Sequence, residues 1–300
     1  MKNKTNFKNT FLVMHKSCLT FFLSLIAINF TFAEESRALF EPMHVFDLEW
    51  AADPRVSPNG KTIVYVRKSN DIMKDRERSN LWQISIDGSN HRPLYSGLKS
   101  IRSPRWSPSG EKLAYISNDT GSQQIHVRWM DNGDTAVISQ LQDSPSYLSW
   151  SPDGKWLAFT MDVKSESETI AEPRDKPEGA KWAQEPITVT TTRYQWDGQG
   201  IMEPAYSHIF IVPADGGSAK QLTHGDFNHF GSLAWTADSQ NIFFSAHRSE
   251  NWELVSDEAN IYSVNITTKK LTQITNEVGA ERSPSISPNG KMIAYSFEER

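Results

Sequence analysis

Apolar positions in this chain come in short bursts, and the same kind of polar turn leads into each. Val56-Ser57-Pro58-Asn59-Gly60 precedes Ile63-Val64-Tyr65, and Trp106-Ser107-Pro108-Ser109-Gly110 precedes Leu113-Ala114-Tyr115. Trp150-Ser151-Pro152-Asp153-Gly154 precedes Leu157-Ala158-Phe159, and Ile286-Ser287-Pro288-Asn289-Gly290 precedes Ile293-Ala294-Tyr295. A degenerate copy, Trp235-Thr236-Ala237-Asp238-Ser239, precedes Ile242-Phe243-Phe244. The turns begin at 57, 107, 151, 236 and 287, so the spacings are 50, 44, 85 and 51.

One copy explains the recurrence. In Ser-Pro-Asp-Gly a polar side chain bonds the backbone at the first corner, proline pre-sets φ at the second, and glycine takes the fourth. The apolar burst that follows is too short for a helix and reads as a strand buried on both faces. Residues two apart share a face. Ile63, Leu113, Leu157, Ile242 and Ile293 therefore form one column, and Tyr65, Tyr115, Phe159, Phe244 and Tyr295 form another on the same side. Strands alone, repeating every 40 to 50 residues, predict an all-β propeller whose blades bury their faces on one another. A sandwich has no reason to repeat one aromatic column. The pattern gives four full blades and part of a fifth over residues 56–300, with the aromatic column buried between blades.

Within the blades, Asp87-Gly88 and Asn132-Gly133 mark hairpins. A charged tip is expected at residues 71–80. Residues 34–55 read as a lead-in with some helical character. The 85-residue spacing marks an insertion over residues 162–206. Its first half, to about residue 186, is rich in Glu, Lys, Ser and Pro and reads as a solvated excursion. Its second half reads as strand from Ile187 to Tyr194, with a β-hairpin turning at Trp196-Asp197-Gly198-Gln199-Gly200. Long insertions of this kind sit at one end of a ring and tend to carry function.

Residues 1–33 read as a signal peptide. Lys2, Lys4, Lys8 and Lys16 precede a mostly apolar run from Leu19 to Phe32, and Thr31-Phe32-Ala33 supplies the cleavage pattern. The run is short of the ~20 residues that span a bilayer. The expected location is periplasmic or secreted, with no membrane attachment after cleavage. Losing the four lysines leaves 27 of 31 basic residues against 36 acidic ones, a balance near −9 in place of −5. That sign argues against nucleic acid as a partner. The single cysteine, Cys18, lies inside the signal, so the mature chain has neither a disulfide framework nor a thiol nucleophile.

The sequence presents no catalytic residue, no metal site and no cofactor site. There is no Gly-x-Ser-x-Gly elbow. His224 and His229 lack the His-Glu-x-x-His arrangement and read as loop residues between blades. The clusters at residues 71–77 and 131–134 lack calcium-loop spacing and read as turns. Glu166, Glu168, Glu172 and Glu178 read as a solvated face.

The Trp-Ser-Pro-Asp-Gly-Lys copies, the opening Asp53-Pro54-Arg55-Val56-Ser57-Pro58-Asn59-Gly60, and Arg193-Tyr194-Gln195-Trp196-Asp197-Gly198 leading to Ser207-His208-Ile209-Phe210-Ile211-Val212 resemble a known family. That family is the prolyl oligopeptidases, at their N-terminal propeller, and the acylaminoacyl-peptidase and dipeptidyl-aminopeptidase-like branch is the nearest in pattern. The likeness covers residues 44–300. The Ser-Pro-Asp-Gly blade by itself is shared with TolB and other periplasmic propellers.

The resemblance implies a propeller of seven blades over an α/β-hydrolase domain with a Ser, Asp and His triad, restricting entry to short peptides. This sequence stops in the fifth copy, which reads as a fragment truncated before that catalytic domain. Arg193 and Tyr194 are the substrate-gating candidates. The adjacent glutamates that hold a free amino terminus in the dipeptidyl-peptidase branch are missing from the insertion, and Glu298-Glu299 lies after the fifth turn.

Two function classes follow. One is the gating propeller of a secreted serine peptidase, with peptide substrates as partners through the hydrolase domain. The other is a non-enzymatic, periplasmic, TolB-like interaction module.

Overall fold

A computed structural model describes residues 39–165, 174–183, 188–189, 191–198, 200–250, 252–255 and 257–300. The signal expected at residues 1–33 lies outside the described residues, as do residues 166–173 and 184–187 of the insertion. The chain divides into two compact units, Met1–Val45 and Phe46–Arg300. In the first unit the amide of Glu41 donates to His44 Nδ1 at 3.0 Å. A 3-10 helix spans Pro42–Asp47.

The second unit is all-β and follows the five copies. β1 (Glu49–Val56), β2 (Thr62–Asp71), β3 (Arg76–Ser85) and β4 (Arg92–Tyr95) form one antiparallel sheet in chain order. β5 (Ile101–Trp106), β6 (Lys112–Ser117), β7 (Gln124–Trp129) and β8 (Thr135–Val137) form the second. In the third, β9 (Ser146–Trp150) pairs with β10 (Trp156–Lys164), and the small hairpin β11 (Gln195–Trp196) and β12 (Gly200–Ile201) separates β10 in the chain from its next partner. β13 (Ala205–Pro213) and β14 (Lys220–Gln221) complete it. The fourth holds β15 (His229–Trp235), β16 (Asn241–Ala246), β17 (Asn260–Asn265) and β18 (Leu271–Gln273). β19 (Gly279–Ile286) and β20 (Ile293–Glu299) pair as a two-stranded sheet.

Each Ser-Pro-x-Gly turn joins the first strand of a sheet to the second, and its chemistry is the same each time. In the third copy Ser151 Oγ accepts from the amide of Trp156 at 2.9 Å and donates to Asp153 Oδ1 at 2.6 Å. Asp153 Oδ1 in turn accepts from the amide of Lys155, and the amide of Gly154 donates to the Ser151 carbonyl. Burial acts to raise the Asp153 carboxyl, yet the Ser151 hydroxyl, the Lys155 amide and the Lys155 charge together hold it below its ordinary value. Gly154 has φ of +69°, a region glycine enters at no steric cost, and Ser239 occupies the equivalent place in the degenerate copy at +59°.

The first strands β1, β5, β9, β15 and β19 contact one another in succession. All five carry a bulge, and Asp53, Ser103, Tyr147 and Ser283 sit there at positive φ. A bulge adds a residue and bends its strand. That bend hides the pairing in the sequence, and it corrects the reading of residues 34–55. Their second half is strand β1, whose alternation the Asp53-Pro54 bulge interrupts. The charged tip also shrinks. β2 and β3 pair out to Asp71↔Arg76, because Asp71 accepts from the Met73 amide and from Arg78 Nε and so closes the turn within the strands' own length.

Three apolar layers lie between consecutive sheets. Val64 and Leu81 meet Leu113 and Tyr115, Ala114 and Ile116 meet Leu157 and Phe159, and Ala158 and Ile211 meet Ile242 and Phe244. The aromatic column thus faces the preceding sheet, and alternate residues face the following one. Tyr115, Phe159 and Phe244 are buried as expected. Tyr65 is only half-buried and Tyr295 is 40% exposed, so the expectation of five buried rings fails at both ends. Tyr65 belongs to the first sheet, which has no described sheet before it, and its hydroxyl meets His91 Nε2 at 2.6 Å. Tyr295 stands on a sheet of only two strands.

Candidate functional site

Beyond the bulged strands, β10 and β13 keep pairing as far as Lys164↔Ala205, so the excursion runs from residue 165 to 204 rather than from 162 to 206. The described part of the stretch from Ile187 to Tyr194 is not strand, since no neighbouring strand offers it a ladder. Pairing begins at Gln195↔Ile201, and Gly198 and Gly200 take φ of +75° and +77° at the turn. This hairpin covers a cavity of about 690 Å³. Its other walls include the end of β10, the start of β13, the start of β15, Trp252, Glu253, Glu258 and Arg282 of β19.

The insertion is held down at Thr192, whose hydroxyl donates to Glu253 Oε2 at 3.2 Å. Lys164 pairs with Glu203 across the base of the excursion. Aromatic rings line the interior: Tyr206 meets Trp252 edge-on at 5.9 Å, and Arg282 lies over Phe230 at 5.4 Å. Burial, then the carboxylates of Asp226 and Glu253, push the Tyr206 phenol up from its ordinary value. A cleft with aromatic walls and a few charged groups has the lining of a ligand site.

Arg193 and Tyr194 fall on this hairpin. Arg193 lines the cavity and stands over the Trp196 ring at 6.0 Å. Tyr194 is 46% exposed and is not among the lining residues, and its carbonyl accepts from the Met202 amide. Thr192, Tyr206, Trp252 and Glu253 were invisible to sequence reasoning, because they come from three separated segments and belong to no motif. Glu298 and Glu299 lie on β20 and do not line the cavity.

His247 and Glu258 line the cavity, and Ser249 adjoins them. Ser249 Oγ lies 2.8 Å from His247 Nε2, and Glu258 Oε2 lies 3.4 Å from the same nitrogen. A relay needs the acid on the opposite ring nitrogen from the nucleophile, so this group is a shared hydrogen bond and not a triad. Burial lowers the His247 pKa despite Glu258, which leaves the imidazole neutral near pH 7.

Beneath the cavity, His229 corrects its assignment to a loop. It opens β15 and is fully buried, whereas His224 stays in an exposed loop. His229 Nδ1 donates to the Ser207 carbonyl at 2.8 Å, and Nε2 faces Arg248 Nη1 at 2.8 Å. Among the described residues no group of three His, Cys, Asp or Glu is placed to hold a metal ion.

A model of the TolB beta propeller domain matches residues 61–300, which carry four of the five turns and nearly all of the sheets. The chain belongs to the TolB β-propeller domain family. This TolB β-propeller domain is 31% identical over 199 residues to "Uncharacterized peptidase YuxL" of Bacillus subtilis (strain 168), covering 66% of the chain and 30% of that protein. It is 27% identical over 257 residues to "Dipeptidyl-peptidase 5" of Porphyromonas endodontalis, covering 82% of the chain and 36% of that protein. The chain thus spans about a third of the length of the curated relatives it matches. The Pyrococcus horikoshii acylaminoacyl peptidase shares the fold at a TM-score of 0.57 and 15% identity, over 79% of this chain and 34% of that one. The domain is therefore related to peptidase propellers as well as to TolB, as its turns and hairpin imply.

Proposed function

We propose that this chain is the substrate-selecting propeller of a secreted serine peptidase that acts on short peptides. The observation that carries the reading is the cavity of about 690 Å³ walled by the Arg193-Tyr194 hairpin, in a chain whose curated relatives include peptidases. In this reading Arg193 and Tyr194 stand at the entrance, Thr192 and Glu253 fix the insertion over it, and the aromatic walls take peptide side chains. Hydrolysis belongs to an α/β-hydrolase domain. The basic and apolar pattern of residues 1–33 supports export to the periplasm or beyond. Among the described residues no helix is long and apolar enough to cross a membrane.

Titrating the chain with acylated and free tri- to pentapeptides tests the reading. Saturable binding, weakened by deletion of residues 191–203, is expected. Absence of binding at millimolar peptide would sink it. The TolB description of the family favours a second reading, a surface for docking folded proteins. Binding of a folded partner that survives the same deletion would support that one instead.

A further inference from the structure

The cavity floor is coupled to a buried imidazole that has no room for a second proton. His229 is fully buried, with Nδ1 donating to Ser207 O and Nε2 against Arg248 Nη1 at 2.8 Å each. A guanidinium carries donors only and keeps its charge at any ordinary pH. The Arg248 contact therefore requires the Nε2 lone pair, and the ring is the neutral Nδ1–H tautomer. A proton on Nε2 would set donor against donor and charge against charge. We infer that His229 and Arg248 form an acid-sensitive latch under the cavity, whose release reshapes the walls at Asn228, Phe230 and His247. This rests on the reading of the cavity as the substrate site and adds its regulation.

The groups around the latch support this. From β13, His208 lies 5.2 Å ring to ring from His229 and is itself buried. The loop before β15 contributes His224, 6.3 Å from His208, and Asp226, both exposed. From β16 onward come Arg248, stacked over Phe227 at 4.3 Å, and its neighbour His247 with Glu258. Tyr262 of β17 interacts with Arg248. Among these, no carboxylate is hydrogen-bonded to the His229 ring to accept a charged imidazolium. Burial first, then His208 and Arg248, depress its pKa to about 3. Asn228 and Phe230 flank His229 in sequence and line the cavity, and Asn228 Oδ1 holds the Ser207 amide at 2.9 Å. Freeing Arg248 therefore loosens the floor and the Phe227 loop together. Released His229 takes a proton at its ordinary value, so the open form gains about tenfold per pH unit below ~6.5.

Ser245 offers a reporter, being buried and paired in register with Phe230, in a chain whose only native cysteine is Cys18. The test is the labelling rate of Ser245→Cys with 4,4′-dithiodipyridine at pH 7.5, 6.5, 5.5 and 4.5. Each rate is normalised to free cysteine and corrected with the parent chain. About a fiftyfold rise between pH 6.5 and 4.5 is expected. It should fall at least tenfold in His229→Asn, which keeps a donor for Ser207, and in Arg248→Gln, which removes the opposing charge. It should persist in His247→Gln. An equal rise in all of these variants, or none in Ser245→Cys alone, overturns the latch. No peptide enters the assay, so a failure of the substrate reading leaves its result readable.

Discussion

The indole Nε1 of Trp150 donates to the carbonyl of Arg105 at 2.9 Å, and Trp106 makes the same bond to the carbonyl of Arg55 at 3.0 Å. In both cases the last residue of a first strand reaches back to the residue before its counterpart in the previous sheet. Trp235 stands at the equivalent place with its Nε1 buried and without a partner. Removing a hydrogen-bond partner strands a polar group, at a cost of about 1 to 3 kcal/mol. Trp150→Phe should therefore destabilise the domain by about 1 kcal/mol more than Trp235→Phe in denaturant unfolding. Equal losses would show that the indole bond contributes nothing beyond ring burial.

The aromatic column gives a second contrast. Phe159 and Phe244 are fully buried between sheets, and Phe→Ala in such a place costs about 3 to 5 kcal/mol. Tyr65→Ala, on a half-covered face, should cost well under half as much. Urea titrations of the three variants would check the order, and a Tyr65→Ala loss equal to Phe159→Ala would contradict the assignment of faces.

Gly154 isolates the turn's backbone requirement. Nothing lies within 4 Å of a Cβ added there, so Gly154→Ala meets only the left-handed penalty at φ +69°. That penalty is about 1 to 2 kcal/mol, read as a lower unfolding midpoint. Ser239 bears the same strain in the fourth copy, and Ser239→Gly should lose less, because relief of that strain offsets the lost Oγ contact to the Asp153 amide.

Stability should also depend on pH in a defined sense. Burial holds His208 at about 4 and His229 at about 3, against an ordinary 6.5. The unfolded chain thus binds protons that the folded chain refuses. The contribution is complete above pH 6.5 and is lost as pH falls toward those values, at up to about 1.4 kcal/mol per pH unit per histidine. Unfolding free energies from pH 7.5 to 4.5 should fall less steeply in His229→Asn. A parallel slope would place the acid lability elsewhere.

Much of the fold was legible because the turn chemistry repeats. Ser151, Asp153 and Gly154 each do what their residue types allow, and the same bonds recur in the other copies. The first strands were not legible, since the bulges at Asp53 and Ser103 break the alternation by which a strand is recognised. The site was less legible still. Arg193 could be singled out from its motif, but Thr192, Glu253 and Trp252 meet only after folding. His229 could not be told from a loop residue, because burial depends on β13 and β16 packing beside it.

The proposed peptide selection takes place at the cavity under the insertion. Amide and indole NMR shifts, recorded while the chain is titrated with short peptides, address that claim directly. The changes should concentrate on Trp196, Tyr206, Phe230 and Trp252, and Thr192→Ala should weaken binding severalfold by freeing the insertion. Shifts confined to the outer face around Tyr65 and Trp82, or no shifts at millimolar peptide, would contradict it.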